Sequence, residues 1–242
     1  MAADWLIDLG HSRIKWARLD PAGQPAGFGS VALADRAELE PVLSAAPNSH
    51  LWVSAQTRPE AARWLVALAE RHGLGMTKLT TGAAELPIKP SYDSLGCDRW
   101  LAVQWPWHQD QAALCVIDCG TAVTIDIVDA TGKHRGGWIM AGLATARESL
   151  FDKAPGLPRS GEADTADIPA CHSGQAIARG TLLQLVGGIE RAVDATCATL
   201  GTRPGIWVTG GDSAAIMPLT RLQFGTDEHL VLRGLAMVAR QC

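Results

Sequence analysis

Short alternating apolar runs broken by glycine-containing turns open the chain, and a long helical periodicity marks its later part. Trp5 to Asp8 and Ile14 to Leu19 read as two strands, joined by Leu9, Gly10, His11, Ser12 and Arg13, a turn-rich connection of hairpin length. Leu51 to Ser54 reads as a further strand. Pro59 then begins an amphipathic helix, Glu60 to His72, with proline in the first turn and Gly73 just past the end. Strand followed by helix predicts an α/β architecture. From Thr80 to Ser94 the pattern lapses into Thr, Gly, Pro and Ser, a long loop whose ends neighbours must hold. Beyond Leu95 to Trp100, Leu101 to Trp105 is a helical run that Pro106 is expected to stop.

A second strand pair follows. Ala112 to Asp118 is almost continuously apolar, Cys119, Gly120 and Thr121 turn the chain, and Val123 to Val128 runs back. Asp8-Leu9-Gly10-His11-Ser12 and Asp118-Cys119-Gly120-Thr121-Ala122 share an Asp-x-Gly followed by small or polar residues, each between two strands and about 110 residues apart. An internal duplication, one copy per domain, explains the pair. Ser160 to Gly174 is a polar loop, Gln175 to Leu200 a long helix closed by Gly201, Ile206 to Thr209 a strand ending in Gly210-Gly211, and His229 to Arg240 a terminal helix.

With 242 residues the chain accommodates two domains of about 120 residues each, expected at 1–110 and 111–242. The 21 Lys and Arg against 25 Asp and Glu leave a net charge of −4, which argues against a basic nucleic-acid partner. No stretch approaches the roughly 20 apolar residues of a membrane span. The opening MAADWLIDLG lacks a basic leader and a long apolar region, so a cytoplasmic location without a membrane partner is expected. Six cysteines without a CxxC pair indicate neither a zinc knuckle nor a disulfide framework, and Cys115 and Cys119 are expected as buried thiols. Trp5, Trp52, Trp64 and Trp207 lie in core-forming patterns, whereas Trp100 and Trp138 stand beside the candidate motifs and are expected to line a cleft.

The two turns carry the candidate chemistry. Glycine lets backbone N–H groups approach an anion, and Ser or Thr hydroxyls add donors for phosphate oxygens. The aspartate opening each turn, Asp8 or Asp118, sits at a strand end, where a carboxylate can hold a cation, orient water or accept a proton. A tight structural turn favours the same residues. Between the turns, Gly96-Cys97-Asp98-Arg99 can present a carboxylate and a guanidinium together at a helix start. The same residues also suit a plain helix N-terminus with a surface ion pair.

These motifs together resemble the type III pantothenate kinases, bacterial enzymes of the acetate kinase, sugar kinase, Hsp70 and actin superfamily. The family pattern Asp-x-Gly-Asn-Thr with a following Lys is matched by Asp8, Gly10, His11, Ser12 and Lys15. Gly-x-Asp-Arg is matched by Gly96, Asp98 and Arg99, and Asp-x-Gly-Thr-Ala-x-Thr-x-Asp by Asp118, Gly120, Thr121, Ala122, Thr124 and Asp126. The Gly-Gly-x-Ile-x-Pro-Gly segment is seen as Gly136, Gly137, Ile139, Ala141 and Gly142, with Leu157-Pro158 following. His11 in place of Asn, Ala141 in place of Pro and Gln175 in place of an acidic residue depart from the pattern.

The resemblance implies two ribonuclease H-like domains with nucleotide in the cleft between them, and ATP-dependent phosphorylation of pantothenate to 4′-phosphopantothenate, the first step toward coenzyme A. It implies Asp98 as general base and Tyr92, Gly96, Cys97, Asp98, Arg99 and Ser173 as the pantothenate site. The first phosphate loop would be Asp8, Leu9, Gly10, His11, Ser12, Arg13, Ile14 and Lys15, with Thr121 an ATP contact. Asp118 would bind a monovalent cation, potassium or ammonium, and magnesium would accompany the nucleotide. A homodimer is also implied. Two other readings stay open at this point: a kinase of the same superfamily acting on another small acceptor, and a catalytically silent accessory protein.

Overall fold

Along the first strand, Trp5, Ile7 and Leu9 point into one core while Leu6 lies fully buried on the opposite face, so this strand is covered by helices on both sides. The structure is a computed structural model and describes residues 4–46, 48–56, 59–159, 161 and 167–241. Its contacts divide into two units, one running through Gln111 and taking in the segment from His229 on, the other Ala112–Glu228.

In the first unit, β1 (Trp5–Leu9), β2 (Arg13–Leu19) and β3 (Pro25–Ala32) form an antiparallel meander. A short helix α1 (Leu39–Ser44) leads to β4 (His50–Ala55), which pairs parallel to β1. Helix α2 (Pro59–Arg71) then crosses over to β5 (Gly75–Lys78), giving the order β3-β2-β1-β4-β5. The buried residues of α2, Ala61, Leu65, Leu68 and Ala69, recur at helical spacing and press on the β1 face that carries Ile7. Gly73 ends the turn after α2 at φ +63, a conformation that suits glycine.

The loop after β5 leads into α3 (Cys97–Ala102) and α4 (Gln104–Asp110). Pro106 does not stop a helix as the sequence pattern suggests; it occupies the first turn of α4, where a missing N–H leaves no intrahelical bond unmade.

The second unit repeats this plan. Strands β6 (Leu114–Cys119), β7 (Ala122–Val128) and β8 (His134–Ala141) form the antiparallel meander, followed by α5 (Leu143–Lys153) and the 28-residue α6 (Ser173–Leu200). Next come β9 (Gly205–Thr209), parallel to β6, then α7 (Ser213–Ile216) and β10 (Gly225–Thr226), parallel to β9. The order β8-β7-β6-β9-β10 is that of the first sheet strand for strand, with one register shift in each outer antiparallel pair. The duplication inferred from the two Asp-x-Gly turns is therefore a duplication of topology. Helix α6 starts at Ser173, inside the stretch read as loop, and residues 160 and 162–166 of that stretch lie outside the described residues.

The terminal helix α8 (Leu230–Ala239), which sequence order places in the second half, packs on β1 and α3 of the first unit. A Cβ on Gly234 would lie 2.4 Å from the Leu101 carbonyl oxygen, so glycine permits the close approach to α3. At the start of α8 the His229 ring stacks on Phe28 of β3 at 3.9 Å, and Arg233 lies over Trp105 of α4 at 5.1 Å. Trp5 and Trp52 are buried as expected. Trp100 is fully buried and donates its Nε1 hydrogen to the Ile88 carbonyl, so it is a core residue and does not line a cleft.

Candidate active site

The first unit gathers its chemistry at the carboxyl ends of the parallel strands β1, β4 and β5, the edge where open α/β sheets carry ligands. Asp8, near the end of β1, sits in register between Lys15 on β2 and Ser54 on β4. Asp8 and Ser54 share a face with Leu6, the face on which α8 packs. Helix α3 brings Cys97 and Asp98 to the same place. Burial pushes the Cys97 thiol up to about 12, with the carboxylates of Asp98 and Asp8 adding to the shift and Ser54 and Lys78 opposing it. The charges of Asp8, Lys78 and Asp98 thus all bear on one buried thiol. Cys97 is 2% exposed and stays protonated, so a contact with substrate from this residue would come through its main chain.

Gly96 is the N-cap of α3 with extended backbone, and a Cβ there would lie 2.5 Å from Asp98 Oδ1. Glycine therefore lets the Asp98 carboxylate fold back over the helix start, where Oδ1 accepts a 2.8 Å hydrogen bond from the Arg99 N–H. The Arg99 guanidinium is buried and donates to the half-exposed Tyr92 hydroxyl at 3.2 Å. The loop carrying Tyr92 is fixed at both ends. Thr81 Oγ1 donates to the Leu95 carbonyl at 2.6 Å, and the buried Gln104 amide serves both the N–H and the carbonyl of Ile88.

In the first turn, Gly10 N–H donates to the Arg13 carbonyl at 3.1 Å, and His11, Ser12 and Arg13 are exposed. Leu9 and Ile14 belong to the core, so they offer an anion only backbone atoms.

The second unit builds the equivalent turn with more support. Asp118 lies near the end of β6 between Thr124 and Thr209, and Gly120 N–H donates to the Ala122 carbonyl at 3.1 Å. Gly142, the buried N-cap of α5, rests directly on the turn. A Cβ there would come within 2.1 Å of the Gly120 carbonyl oxygen. Gly142 N–H and Thr145 Oγ1 both donate to the Thr121 carbonyl, at 3.0 and 2.7 Å. From the other side Gly210, at φ +94, leaves room for Asp118 Oδ1 and the Cys119 carbonyl, which accepts the Asp212 N–H at 2.9 Å.

Burial pushes the Cys119 thiol up to about 12, with Asp118 and Asp212 contributing, so both carboxylates stand near this thiol. Burial also pushes the Asp212 carboxyl above its ordinary range, and the Arg147 guanidinium pulls it back. Ser173 is the exposed first residue of α6, whose N-cap His172 accepts the Gln175 N–H through Nδ1 at 3.3 Å.

The structure thus brings Asp8, Cys97, Asp98, Arg99 and Tyr92 together in one unit, and Asp118, Gly120 and Thr121 in the other. Ser54, Thr145, Arg147 and Asp212 join these sites without having been singled out in the sequence. Asp212 carried a usable signal, because Gly210-Gly211-Asp212 repeats at the end of β9 the association of glycine and aspartate seen at the ends of β1 and β6. Arg147 is one arginine within a helix and carried none.

The family model for type III pantothenate kinase matches residues 5–195. A type III pantothenate kinase from Nitrosococcus oceani is 34% identical over 249 aligned residues, which cover 97% of this chain and 93% of that protein. One from Alkalilimnicola ehrlichii is 32% identical over 98% of both chains. Among solved structures, a Campylobacter jejuni protein described as of the Baf transcriptional-activator family superposes with a TM-score of 0.64 at 18% identity, covering 98% of each chain. An inorganic polyphosphate/ATP-glucomannokinase from Arthrobacter superposes with a TM-score of 0.51 at 16% identity, covering both chains fully. At such identities the superpositions speak for the fold, the two-domain α/β fold of the actin-like ATPases, and not for the activity.

Proposed function

The chain belongs to the type III pantothenate kinase family, and from that premise we propose which of its residues carry the reaction. The activity is ATP-dependent phosphorylation of pantothenate in coenzyme A biosynthesis. Asp98 is the general base, Gly96, Cys97, Arg99, Tyr92 and Ser173 hold pantothenate, and the two glycine turns, Asp8 to Lys15 and Asp118 to Thr121, receive the phosphates of ATP. The observation that carries this reading is the Asp98 carboxylate held at the start of α3 by the Arg99 N–H, beside a buried Arg99 guanidinium that donates to the Tyr92 hydroxyl.

The pantothenate hydroxyl oxygen attacks the γ-phosphorus, its proton passes to an Asp98 carboxylate oxygen, and the bond from the γ-phosphorus to the bridging oxygen breaks to release ADP. Little covalent work is asked of the protein, so alignment and charge compensation dominate. Arg99, buried and steadied by the Tyr92 hydroxyl, suits the pantothenate carboxylate, because a planar guanidinium binds oxyanions in pairs.

Asp118 offers an oxygen donor for potassium or ammonium, and its space is kept open by the missing Cβ of Gly210. Among the described residues no cluster of three His, Cys, Asp or Glu could hold a metal alone. That donor set fits a cation, magnesium included, whose shell is shared with nucleotide oxygens and water, and such a cation would offset phosphate charge.

Trp138 and Ile139 on β8, Leu150 on α5 and Leu183 on α6 are exposed apolar residues of one unit, and they support a homodimer. No helix among the described residues is long and apolar enough to cross a membrane. The cytoplasm is the compartment proposed for the reaction, because its substrates are small, water-soluble and include ATP.

An ADP-release assay with pantothenate, sugars and acetate, with and without potassium, tests the whole. ADP should form with pantothenate alone, and Asp98→Asn should keep the fold while lowering kcat by about 10²- to 10⁴-fold. Wild-type turnover in Asp98→Asn would remove the base assignment.

A further inference from the structure

The repeated topology supplies an internal comparison, because the same main-chain bond closes the glycine turn of each unit. Leu33, the first residue past β3, donates its N–H to the Ser12 carbonyl at 2.8 Å, and Gly142, the first past β8, donates its N–H to the Thr121 carbonyl at 3.0 Å. Ser12 and Thr121 each stand immediately before the second strand of their unit, so this bond belongs to the shared plan. Three residues later the copies part. Arg36 sends its guanidinium back to the Leu33 carbonyl at 3.5 Å, whereas Thr145, in the first turn of α5, donates its hydroxyl to the Thr121 carbonyl at 2.7 Å. The second turn thus has a side-chain bond added to the main-chain one.

A carbonyl oxygen has two lone pairs and can accept both donors. A single bond lets the peptide plane rock about the line to its donor, and a second from another direction fixes it. Because the peptide is planar, fixing the Thr121 carbonyl also fixes the Ala122 N–H of the same plane and restrains the torsion that places Thr121. Thr121 is exposed, where water competes for its carbonyl. Gly142 brings α5 near enough for the hydroxyl to reach, since a Cβ there would lie 2.7 Å from the same oxygen.

The geometry points to Thr145 as a positioning residue for ATP: its hydroxyl holds the second glycine turn in its phosphate-receiving shape before the nucleotide arrives. It acts through the turn and is no catalytic residue. The inference rests on Asp118 to Thr121 being a phosphate turn, as proposed above. Groups ordered in advance bind phosphate without an ordering cost and stabilise the transition state without reorganisation.

The test uses Thr145→Val, which keeps the side-chain shape and removes the hydroxyl, and Thr145→Ser, which keeps the hydroxyl. Both are compared with wild type by steady-state kinetics for each substrate and by calorimetric binding of a non-hydrolysable ATP analogue. The net contribution of one neutral hydrogen bond corresponds to a loss of about threefold to tenfold in kcat/KM for ATP and in analogue affinity for Thr145→Val. The KM for pantothenate should stay within about twofold, and Thr145→Ser should stay within about twofold of wild type throughout. A merely structural threonine would lower the melting temperature without this ATP-side bias.

Unchanged kcat/KM for ATP in Thr145→Val overturns the inference, as does a loss that falls equally on ATP and pantothenate, or one that Thr145→Ser shares. Should Thr145→Val fail to fold, Thr145→Ala, which places a good helix former at this half-buried position, answers the same question through the same parameter. A wild-type protein inert toward ATP and pantothenate would sink the kinase reading and the inference with it, whereas an active wild type with an indifferent Thr145→Val sinks the inference alone.

Discussion

Replacing Gly210 by alanine puts a methyl group at a place where the backbone and the packing both object. Its φ of +94 lies in the left-handed region, which costs a side-chain-bearing residue about 1–2 kcal/mol. The new Cβ would sit 2.4 Å from the Cys119 carbonyl oxygen and 2.5 Å from Asp118 Oδ1. The first is main chain inside a sheet and can yield only by disturbing β6, an overpacking cost of about 1–3 kcal/mol. Together these give a loss of about 2–5 kcal/mol. At about 2–4 °C per kcal/mol for a chain of this length, the melting transition of the second unit should fall by on the order of 10 °C.

Gly211, the next residue, supplies the control: a Cβ there would meet no atom within 4 Å and its φ is not positive, so Gly211→Ala should stay within about 0.5 kcal/mol of wild type. Scanning calorimetry with and without an ATP analogue reads both effects. Gly210→Ala should also lose ATP affinity, because the clash displaces Asp118. If the two alanine variants melt together and bind the analogue equally, the close approach of Gly210 to Asp118 is not a feature of the molecule.

Asp118→Ala should raise the potassium concentration needed for half-maximal rate or abolish turnover, measured in potassium titrations; an unchanged salt dependence removes Asp118 as the cation ligand. The thiols of Cys97, Cys115 and Cys119 are each held near 12 against an ordinary 9.0, so the folded chain keeps protons that the unfolded chain releases. Their contribution is full below about pH 9 and is lost as pH rises toward 12, at up to about 1.4 kcal/mol per pH unit for each thiol. Urea midpoints measured from about pH 8 to 10.5 should therefore fall with pH, and Cys115→Ala should make the fall shallower; an equal slope would show that this thiol titrates normally. Sedimentation should give the mass of the proposed homodimer for the wild type and of a monomer for Ile139→Asp, at an exposed position on β8, with the melt unchanged; a wild-type monomer removes the proposed dimer, and an unaltered mass in the variant removes this face as its contact.

What could be read from the sequence followed from how local the determining interactions are. The paired strands around Gly10 and Gly120 were legible because alternating apolar residues and a turn glycine sit within a few positions of one another. Helix α5 was not legible, and the reason is physical: none of its residues is buried, so it has no apolar stripe to betray a helical period. Strand β3 is an edge strand with half of its residues exposed and glycines at 27 and 29, and β5 is four residues long, so neither carries enough alternation to stand out.

The candidate site divides in the same way. Gly10 and Gly120 announce themselves as turn formers, and Asp98 is found through its neighbours Gly96 and Arg99. Gly142, Gly210 and Gly234 are needed for a different property, the approach of another backbone segment to within the radius of a methyl group. Their partners are Gly120, Cys119 and Leu101, and those pairs stand 22, 91 and 133 positions apart (142 − 120, 210 − 119, 234 − 101). No window of the chain contains both members of the longer pairs. A glycine of this second kind is silent in sequence until its partner is known, and here two of the three lie against the turn on which the nucleotide assignment depends.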